Sequence, residues 1–347
     1  MSTRRSTIDD VAKSAGVARV TVSRVLNNET NVRPETREKV RRAVEALGYS
    51  VNQQARALAS GGGRPIMLIH AHSPDREPNS YYDAGLELGA LRACSALGLD
   101  LVTRAIDPRS TNRARLMTSI LDRERPTGLI VSPPLSDDLD LIDGARRAGV
   151  RMVAISAGED ARARVSAVGI DERAGGRAIG QHLVSLGHRS IGFIKGPPDH
   201  RSAALRYDGF LDALRSAGIG AEPWLATGDF TFKSGAEAAD RLLDEGVVIT
   251  ALACANDDMA AGAMLSLHRA GLDIPKTISV TGFDDTPMSG NIWPPLTTIR
   301  QPIKDFTERA VHMLADNSDA EEPQFEALPH ELIIRESTAA PLQRRGA

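Results

Sequence analysis

The sequence contains few of the residues on which disulfide-linked and metal-binding proteins depend. Its 347 residues include only 2 cysteines and 2 tryptophans, and aromatic residues make up 4% of the chain. Cys94 and Cys254 stand apart in apolar surroundings, without the Cys-x-x-Cys or Cys/His spacing of a metal site. We therefore expect two small buried residues at these positions, no metal site and no cofactor.

Long apolar segments are also absent. No apolar run reaches the roughly 20 residues that a membrane-spanning helix needs. The first residues, "MSTRRSTIDDVAKSAGV", contain two arginines but no apolar segment behind them, unlike a secretory signal. We expect a cytoplasmic protein with no membrane partner, associated with the nucleoid if it binds DNA.

Catalytic motifs are missing as well. The sequence has no G-x-S-x-G motif and no Walker loop, and the glycine-rich "SGGGR" precedes the first predicted strand, where a phosphate loop would follow one. His182 and His188 lie in a helix–turn stretch without a nucleophile beside them. The sequence therefore predicts that the protein is not an enzyme.

Charge is distributed unevenly along the chain. Residues 1–64 hold 12 Lys and Arg against 6 Asp and Glu, a net charge of +6. The remaining residues hold 30 Lys and Arg against 39 Asp and Glu, a net charge of −9. A small basic head on a large acidic body indicates that the head binds a polyanion.

Three short helical patterns occupy the head, "IDDVAKSAG", "VTVSRVLN" and "PETREKVRRAVEALGY". Thr7 or Asp9 can cap the first helix, and Gly16 can end it. The turn between the first two helices is only "GVAR", and Ala12, Gly16 and Val22 are spaced four and six residues apart. A small residue, a glycine and a β-branched residue at this spacing are typical of a helix-turn-helix.

The second of these helices carries side chains that suit the major groove of DNA. Arg19 and Arg24 can each donate two hydrogen bonds to guanine, and Val20 can contact a thymine methyl group. Phosphate contacts are predicted for Thr21, Ser23 and Asn27.

The stretch from residue 7 to residue 61, "TIDDVAKSAGVARVTVSRVLNNETNVRPETREKVRRAVEALGYSVNQQARALASG", resembles the DNA-binding head of the LacI/GalR family of bacterial transcription regulators, with almost no gaps. The resemblance implies that residues 52–60 form a hinge helix on DNA and that Leu58 wedges between base pairs in the minor groove. Two positions depart from the family: Arg33 replaces a capping Ser or Asp, and Val51 replaces a Pro. The further DNA-binding positions that the resemblance implies are Thr7, Asn31, Asn52, Ala55, Leu58 and Ala59.

From Ile66 onward, short apolar runs alternate with amphipathic helical patterns, which indicates doubly wound parallel sheets. The strand patterns are "IMLIHAH", "LDLVTRAI", "GLIVS", "RMVAIS", "SIGFIKG", "ALACAN" and "ISVTGF". They are too many for one sheet, so we expect two similar lobes with a ligand cleft at the carboxyl ends of the strands.

The body resembles the effector domain of the same family, whose fold is that of periplasmic sugar-binding proteins. The segments that carry the resemblance are "HLVSLGHRSIGFIKGP" (182–197), "RYDGF" (206–210), "GDFTFKSG" (228–235), "ALACANDDMAAGAM" (251–264), "SVTGFDDTPMS" (279–289), "PPLTTIRQP" (294–302) and "HELIIREST" (330–338). The fold class that follows is a small all-α helix-turn-helix head plus an α/β periplasmic-binding-protein-like body of two doubly wound lobes. The predicted domains are a head at 1–50, a hinge helix and linker at 51–63, and an effector-binding and dimerisation domain at 64–347, with lobe 1 at about 64–168 and 301–325 and lobe 2 at about 169–299 and 326–347.

Residues near the predicted strand ends suit a sugar, which presents hydroxyl groups and apolar ring faces. Glu172 departs from the family, which commonly has Asn at this position. The predicted effector-binding residues are Arg206, Phe230, Asn256, Asp284, Tyr82 and His72.

These features predict a sequence-specific DNA-binding regulator, a repressor of carbohydrate-utilisation genes that binds a palindromic double-stranded DNA operator as a homodimer and responds to a sugar. The alternative effector is a nucleobase or another non-sugar metabolite. The body alone would also suit a transport binding protein, but the basic head and the missing signal argue against that class. The tail "AAPLQRRGA" has no apolar heptads, which argues against a tetramerising coiled coil there.

Overall fold

The computed structural model describes residues 7–26, 32–47, 65–72, 80–220, 223–316 and 322–342. The chain divides into two units, Met1–Gly63 and Arg64–Ala347, which we call the head and the body. Within the described ranges, no helix is both long and apolar enough to cross a membrane. The predicted contacts Asn27, Asn31, Asn52, Ala55, Leu58 and Ala59, and the departure at Val51, lie outside the described residues.

The head has three helices, whose ends follow from local hydrogen bonding. At the start of α1, the Thr7 hydroxyl accepts from the Asp10 N–H, and the Asp10 carboxylate accepts from the Thr7 N–H at 2.9 Å. Thr7, and not Asp9, therefore caps α1, and Gly16 ends it with a φ of 64°. Arg33 precedes α3 without a side-chain cap, which confirms the prediction from the sequence. The helices are α1 (Ile8–Ala15), α2 (Arg19–Leu26) and α3 (Pro34–Ala46).

Small and β-branched side chains form the core of the head. Val11, Val22 and Val40 are fully buried, one from each helix, and Ala12 and Val25 lie beside them. The helical spacing of the apolar residues predicts that Val22, Val25 and Val40 face inward, and the structure confirms this. Because α1 and α2 meet through Ala12 and Val22, the outer face of α2 is left to solvent.

The body contains two parallel sheets. In the first, the strand order is β11-β5-β4-β3-β1-β2, and every pair is parallel. In the second, the order is β7-β6-β8-β9, again all parallel. β10 and β12 form a separate antiparallel pair. The strands are β1 (Ile66–Ala71), β2 (Leu101–Ile106), β3 (Gly128–Val131), β4 (Arg151–Ile155), β5 (Ser166–Gly169), β6 (Ile191–Lys195), β7 (Trp224–Thr227), β8 (Ala251–Cys254), β9 (Ser279–Thr281), β10 (Thr298–Arg300), β11 (Phe325–Ala327) and β12 (Glu331–Ile333).

Helices alternate with these strands and cover the sheets. They are α4 (Ser80–Leu97), α5 (Arg113–Glu124), α6 (Leu139–Arg147), α7 (Glu159–Arg162), α8 (Glu172–Ser185), α9 (Arg201–Ser216), α10 (Phe232–Asp244), α11 (Asp257–Arg269), α12 (Pro287–Asn291) and α13 (Ile303–Ala315), with a 3-10 turn at Leu135–Asp137. The seven predicted strand patterns coincide with β1–β4, β6, β8 and β9. Cys94 and Cys254 are buried and unpaired, as predicted.

The apolar pattern does not predict β5, β7 and β10–β12, because these strands are short and either small-residue-rich or partly exposed. The apolar patterns alone place Arg206 after a fifth strand, but it follows the sixth. They also predict that every strand is buried, which is wrong for β2, since Arg104 and Ala105 are exposed on this edge strand.

The chain passes between the sheets three times. It leaves the first sheet after β5, returns with α13, which packs on α4 and on β3–β5, and leaves again after β11. We call the first sheet with α4–α7 and α13 the first lobe, and the rest of the body the second lobe. β11 ends at Ala327, two residues beyond the expected boundary at 325, because residues 325–327 pair with β5.

Close helix pairs in the second lobe meet at glycines. A Cβ atom on Gly209 would lie 1.8 Å from the carbonyl oxygen of Arg173, and one on Gly176 would lie 1.9 Å from that of Arg206. Only glycine allows α8 and α9 to approach this closely, and their approach places the start of α8 beside Arg206.

Replacing Gly209 with Ala is expected to destabilise the body by about 3 kcal/mol, because backbone must move to admit the methyl group. Urea unfolding midpoints measure the effect. Gly144→Ala is the matched control: nothing lies within 4 Å of the added Cβ on this helical residue. It is expected to stabilise by about 0.5–1 kcal/mol. Equal midpoints for the two variants would contradict the close-packing account.

Candidate effector pocket and nucleic-acid interface

A solvent-open cleft, which we call the interlobe pocket, lies where the carboxyl ends of strands from both lobes meet. This is the expected position for a ligand in doubly wound folds. The first lobe contributes residues that follow β1 and β2 and residues of α4, and the second lobe contributes residues that follow β6, β7 and β9. The polar and aromatic residues among them are His72, Tyr82, Asp83, Arg109, Asp199, His200, Ser202, Arg206, Asp229, Phe230 and Asp284.

Five of the six predicted effector-binding residues line this pocket: His72, Tyr82, Arg206, Phe230 and Asp284. Their convergence depends on the two lobes together, since His72 and Tyr82 come from the first and the others from the second.

Asn256 is not among the lining residues. Its Oδ1 accepts from the Met259 N–H at 3.0 Å and so caps α11, and its Nδ2 donates to the Phe230 carbonyl at 3.0 Å. The residue is 1% exposed, and both its amide oxygen and its amide nitrogen are engaged in these hydrogen bonds. In this structure Asn256 acts as a support for the backbone that presents Phe230.

Two of the lining residues have strained backbones. Phe230 has a φ of 69° and Asp284 a φ of 113°, in the region that residues other than glycine seldom adopt. The backbone at each is held by a neighbour: Phe230 by Asn256, and Asp284 through its N–H, which donates to the Ile299 carbonyl at 2.8 Å. Such strain persists where surrounding structure fixes it, typically at ligand sites.

A buried ion-pair cluster forms the floor of the pocket. The Nε of Arg206 donates to Glu172 Oε2 at 2.8 Å, and its Nη1 donates to the Ala255 carbonyl at 2.7 Å and lies 3.4 Å from Asp284 Oδ1. Gln301 Nε2 also donates to Asp284 Oδ1, at 2.6 Å. The three charged residues are each at most 5% exposed, so water screens them little.

Burial controls the protonation of the acidic groups near this cluster. It raises the pKa of Asp284 to about 7, although Arg206 and the Gln301 amide oppose the change. Burial and then the charge of Asp284 hold the pKa of Asp257 well above its ordinary value. Burial followed by the charge of Glu172 raises the pKa of Tyr82, which keeps its hydroxyl protonated.

Aromatic rings form the wall next to the cluster. His200 and Phe230 make an edge-to-face contact with ring centroids 4.8 Å apart. Burial, and to a lesser extent the charge of Arg206, lowers the pKa of His200 to about 3, so its ring is neutral at physiological pH. Its Nδ1 forms a hydrogen bond with the Ser202 hydroxyl at 2.9 Å.

Several lining residues were not predicted from the sequence. His200 and Asp199 follow β6 in "GPPDH", Asp229 follows β7, and Arg109 follows β2. Their positions after strands are the signal that could have found them, because the carboxyl ends of parallel strands share one edge of a sheet. In the described part of the chain, no group of acidic, His or Cys side chains is placed to hold a metal ion.

The head presents α2 as its candidate DNA-binding surface. Val20 is 58% exposed, although it is apolar, and Arg19 and Arg24 are exposed on the same helix. Arg19 Nη1 lies 3.7 Å from Asp9 Oδ2, an exposed pair of little energetic value. Thr21 is half-buried, Ser23 lies on the same helix, and the Thr7 hydroxyl is engaged in the cap of α1.

The raised pKa of Asp284 predicts a pH-dependent stability. The folded protein keeps the Asp284 proton up to about pH 7, whereas the unfolded chain loses it above its pKa of about 4. The protonated Asp284 therefore contributes its full stabilisation below about pH 4, and this contribution is lost as the pH rises through about 7. Wild type should therefore lose about 1–3 kcal/mol relative to Asp284→Asn between about pH 5 and pH 8.

Urea unfolding of both proteins at the two pH values measures this difference. Asp212→Asn is the control, because Arg173 lowers the pKa of Asp212 and its contribution changes only at more acidic pH. If the unfolding free energies of wild type and Asp284→Asn differ by the same amount at both pH values, the pKa of Asp284 is not raised.

Comparison with known proteins finds family matches for both the head and the body. Residues 7–52 match the family described as bacterial regulatory proteins, lacI family, and residues 180–338 match the periplasmic binding protein-like domain. The HTH-type transcriptional repressor PurR of Haemophilus influenzae is 34% identical to this chain, and the alignment covers 96% of this chain and 98% of that protein.

Two solved structures resemble the whole chain. A complex of the transcriptional regulator CelR with cellobiose is 32% identical with a TM-score of 0.69, over 96% of this chain and 100% of the other. The Lac repressor dimer bound to operator and the anti-inducer ONPF is 31% identical with a TM-score of 0.73, over 97% of this chain and 100% of the other. These relatives are transcriptional regulators and not enzymes. The chain belongs to the lacI family of DNA-binding bacterial transcriptional regulators.

Proposed function

We propose that this chain is a repressor of carbohydrate-utilisation genes that binds a palindromic operator as a homodimer and whose operator affinity is controlled by a sugar in the interlobe pocket. The pocket carries the proposal: the buried polar groups of Arg206 and Asp284 line the same cleft as the ring of Phe230. A sugar needs both partners, because its hydroxyl groups form directed hydrogen bonds and its ring face is apolar.

The relatives support this assignment. One was solved with cellobiose, and another as a dimer on operator DNA. A single head offers few base contacts, and a two-fold dimer doubles them on a palindromic site. In the same proposal residues 1–50 bind DNA, residues 51–63 form the hinge, and residues 64–347 bind the effector and dimerise.

The proposal extends to the hinge through its sequence. Residues 52–60 are too few for a stable isolated helix in water, so helix formation there requires a partner. Ala55 and Ala59 would allow two such helices to approach closely, and Leu58 is the large apolar side chain that would enter the minor groove.

A nucleobase is the second candidate effector. The rings of His200 and Phe230 both line the pocket and can stack on a planar base, and the relatives include the repressor PurR besides the regulator CelR solved with cellobiose. Thermal unfolding of the full chain with a panel of sugars and nucleobases separates the two candidates. Stabilisation by sugars alone supports the proposal, and stabilisation by nucleobases alone replaces it with the second candidate.

Arg24→Ala is expected to cost about 1–3 kcal/mol of operator binding and to relax the choice of base at one position, because an arginine on the exposed face of α2 can bind guanine with two hydrogen bonds. An operator selected from a random-sequence library, and random DNA of the same length, serve as the two ligands. Arg42→Ala is the control for loss of charge alone, since Arg42 is exposed on α3 and paired with Glu38. Equal losses on operator and random DNA would reassign Arg24 to phosphate binding.

Asp284→Asn is expected to weaken binding of the effector found in the panel by about 1.5–3 kcal/mol, because the amide is a poorer acceptor for hydroxyl groups. Calorimetric titration measures it, and Asp212→Asn is the control, a carboxylate paired with Arg173 and Arg177 outside the pocket. Operator affinity without effector should be unchanged. Unaltered effector affinity would remove Asp284 from the binding site.

A further inference from the structure

We propose that Glu172 sets the charge class of the effector: by occupying Arg206 it restricts the interlobe pocket to neutral or amino-bearing polyhydroxyl ligands and excludes sugar phosphates and sugar acids. This inference rests on the proposed function of the pocket and adds the substrate class. Glu172 is a specificity-determining residue that acts through Arg206, since it does not itself line the pocket.

Glu172 is placed to hold Arg206 by the fold. It is the first residue of α8, and the glycine contact between α8 and α9 brings it against the guanidinium. Its side chain is 1% exposed, and its Oε2 receives the Arg206 Nε–H at 2.8 Å. A buried pair of this geometry is stronger than a surface pair, because water does not screen it.

The guanidinium has a second carboxylate and a carbonyl as partners. Asp284 Oδ1 lies 3.4 Å from Nη1, which also donates to the Ala255 carbonyl at 2.7 Å. The guanidinium carbon lies 3.8 Å from the centre of the Phe283 ring, so that ring covers one face of the charge. Arg206 is thus compensated by the Glu172 carboxylate, with Asp284 as a second acidic neighbour, and it offers an anionic ligand no uncompensated charge.

Acceptors outnumber donors in this cluster. Glu172 Oε1 and Gln301 Oε1 are both buried and have no hydrogen-bond partner among the described residues. Asp284 Oδ1 receives one amide hydrogen of Gln301. Of these acceptor residues, Asp284 lines the interlobe pocket, whereas Glu172 and Gln301 lie behind it. A ligand that brings O–H or N–H donors complements the Asp284 carboxyl group, and a phosphate or carboxylate adds further acceptors.

The rest of the lining has the same sign. Among the described residues, the lining includes the carboxyl groups of Asp83, Asp199, Asp229 and Asp284 and the guanidinium groups of Arg109 and Arg206. His70 Nδ1 lies 3.3 Å from Asp83 Oδ1 at the outer end. His200 adds no positive charge, since its ring is neutral at physiological pH. An anion entering the pocket loses hydration and meets an excess of negative charge.

The proposed exclusion of anionic ligands is tested first on the wild-type chain with matched ligands. D-glucose, D-glucosamine and D-glucose 6-phosphate form one series, and the corresponding galactose compounds form a second. In whichever series binds, the neutral and amino members should bind at least about tenfold more tightly than the phosphate. A phosphate that binds within threefold of the neutral sugar overturns the inference.

Glu172→Gln then tests the residue. The glutamine keeps an oxygen for the Arg206 N–H and removes the charge, so the ratio of neutral-sugar to sugar-phosphate affinity should fall by about tenfold. Glu124→Gln is the control, a carboxylate paired with Arg104 and Arg123 outside the pocket, and it should leave the ratio unchanged. An unchanged ratio in Glu172→Gln assigns Glu172 a structural role only and overturns the inference.

A ligand-independent measurement separates this inference from the sugar assignment. Unfolding temperatures of wild type, Glu172→Gln and Glu124→Gln are compared in sodium phosphate and sodium chloride of equal ionic strength. Phosphate should stabilise Glu172→Gln more than the other two, because Arg206 then keeps Asp284 as its one acidic partner in place of two. Equal shifts of the unfolding temperature in all three proteins contradict the proposed role of Glu172. Failure of all six sugars to bind contradicts only the sugar assignment.

Discussion

Removing a guanidinium from water costs several kcal/mol, so a buried arginine persists only where negative groups and hydrogen-bond acceptors surround it. Arg206 meets this requirement through Glu172, Asp284 and the Ala255 carbonyl, which come from three different segments of the second lobe. The position of each segment is therefore tied to one side chain. This compensation of the Arg206 charge supports the floor of the pocket, the strained backbone at Asp284 and the start of α8.

The fold provides the geometry that this cluster needs. Parallel strands deliver their carboxyl ends to one edge of each sheet, and three chain crossings bring the two edges together. The close approach of α8 and α9, which Gly176 and Gly209 permit, brings Glu172 within hydrogen-bond distance of Arg206. A bound ligand that touches both lobes can then favour one arrangement of the lobes over another, and only such a difference in affinity can alter binding at a distant site.

The sequence contained most of the architecture and part of the site. Apolar runs predicted the central strands, and the resemblance to a known family pointed to Arg206 and Asp284. β5 and β7 escaped prediction because β5 is rich in small residues and β7 is partly exposed, so neither gives a run of large apolar residues. Asn256 was predicted for the pocket but caps α11, since an Asn after a strand suits either role and only the hydrogen-bond partners distinguish them. His200 was missed because its contact with Phe230 joins residues far apart in the chain.

Linkage between the pocket and the head is the central claim, and thermodynamic reciprocity gives its most direct test. The dissociation constant of the effector is measured by calorimetry with the free protein and with the protein saturated by operator DNA. The account predicts that the two constants differ by the same factor by which the effector changes operator affinity, about 5- to 150-fold for a typical coupling. Identical effector constants with and without operator would contradict it.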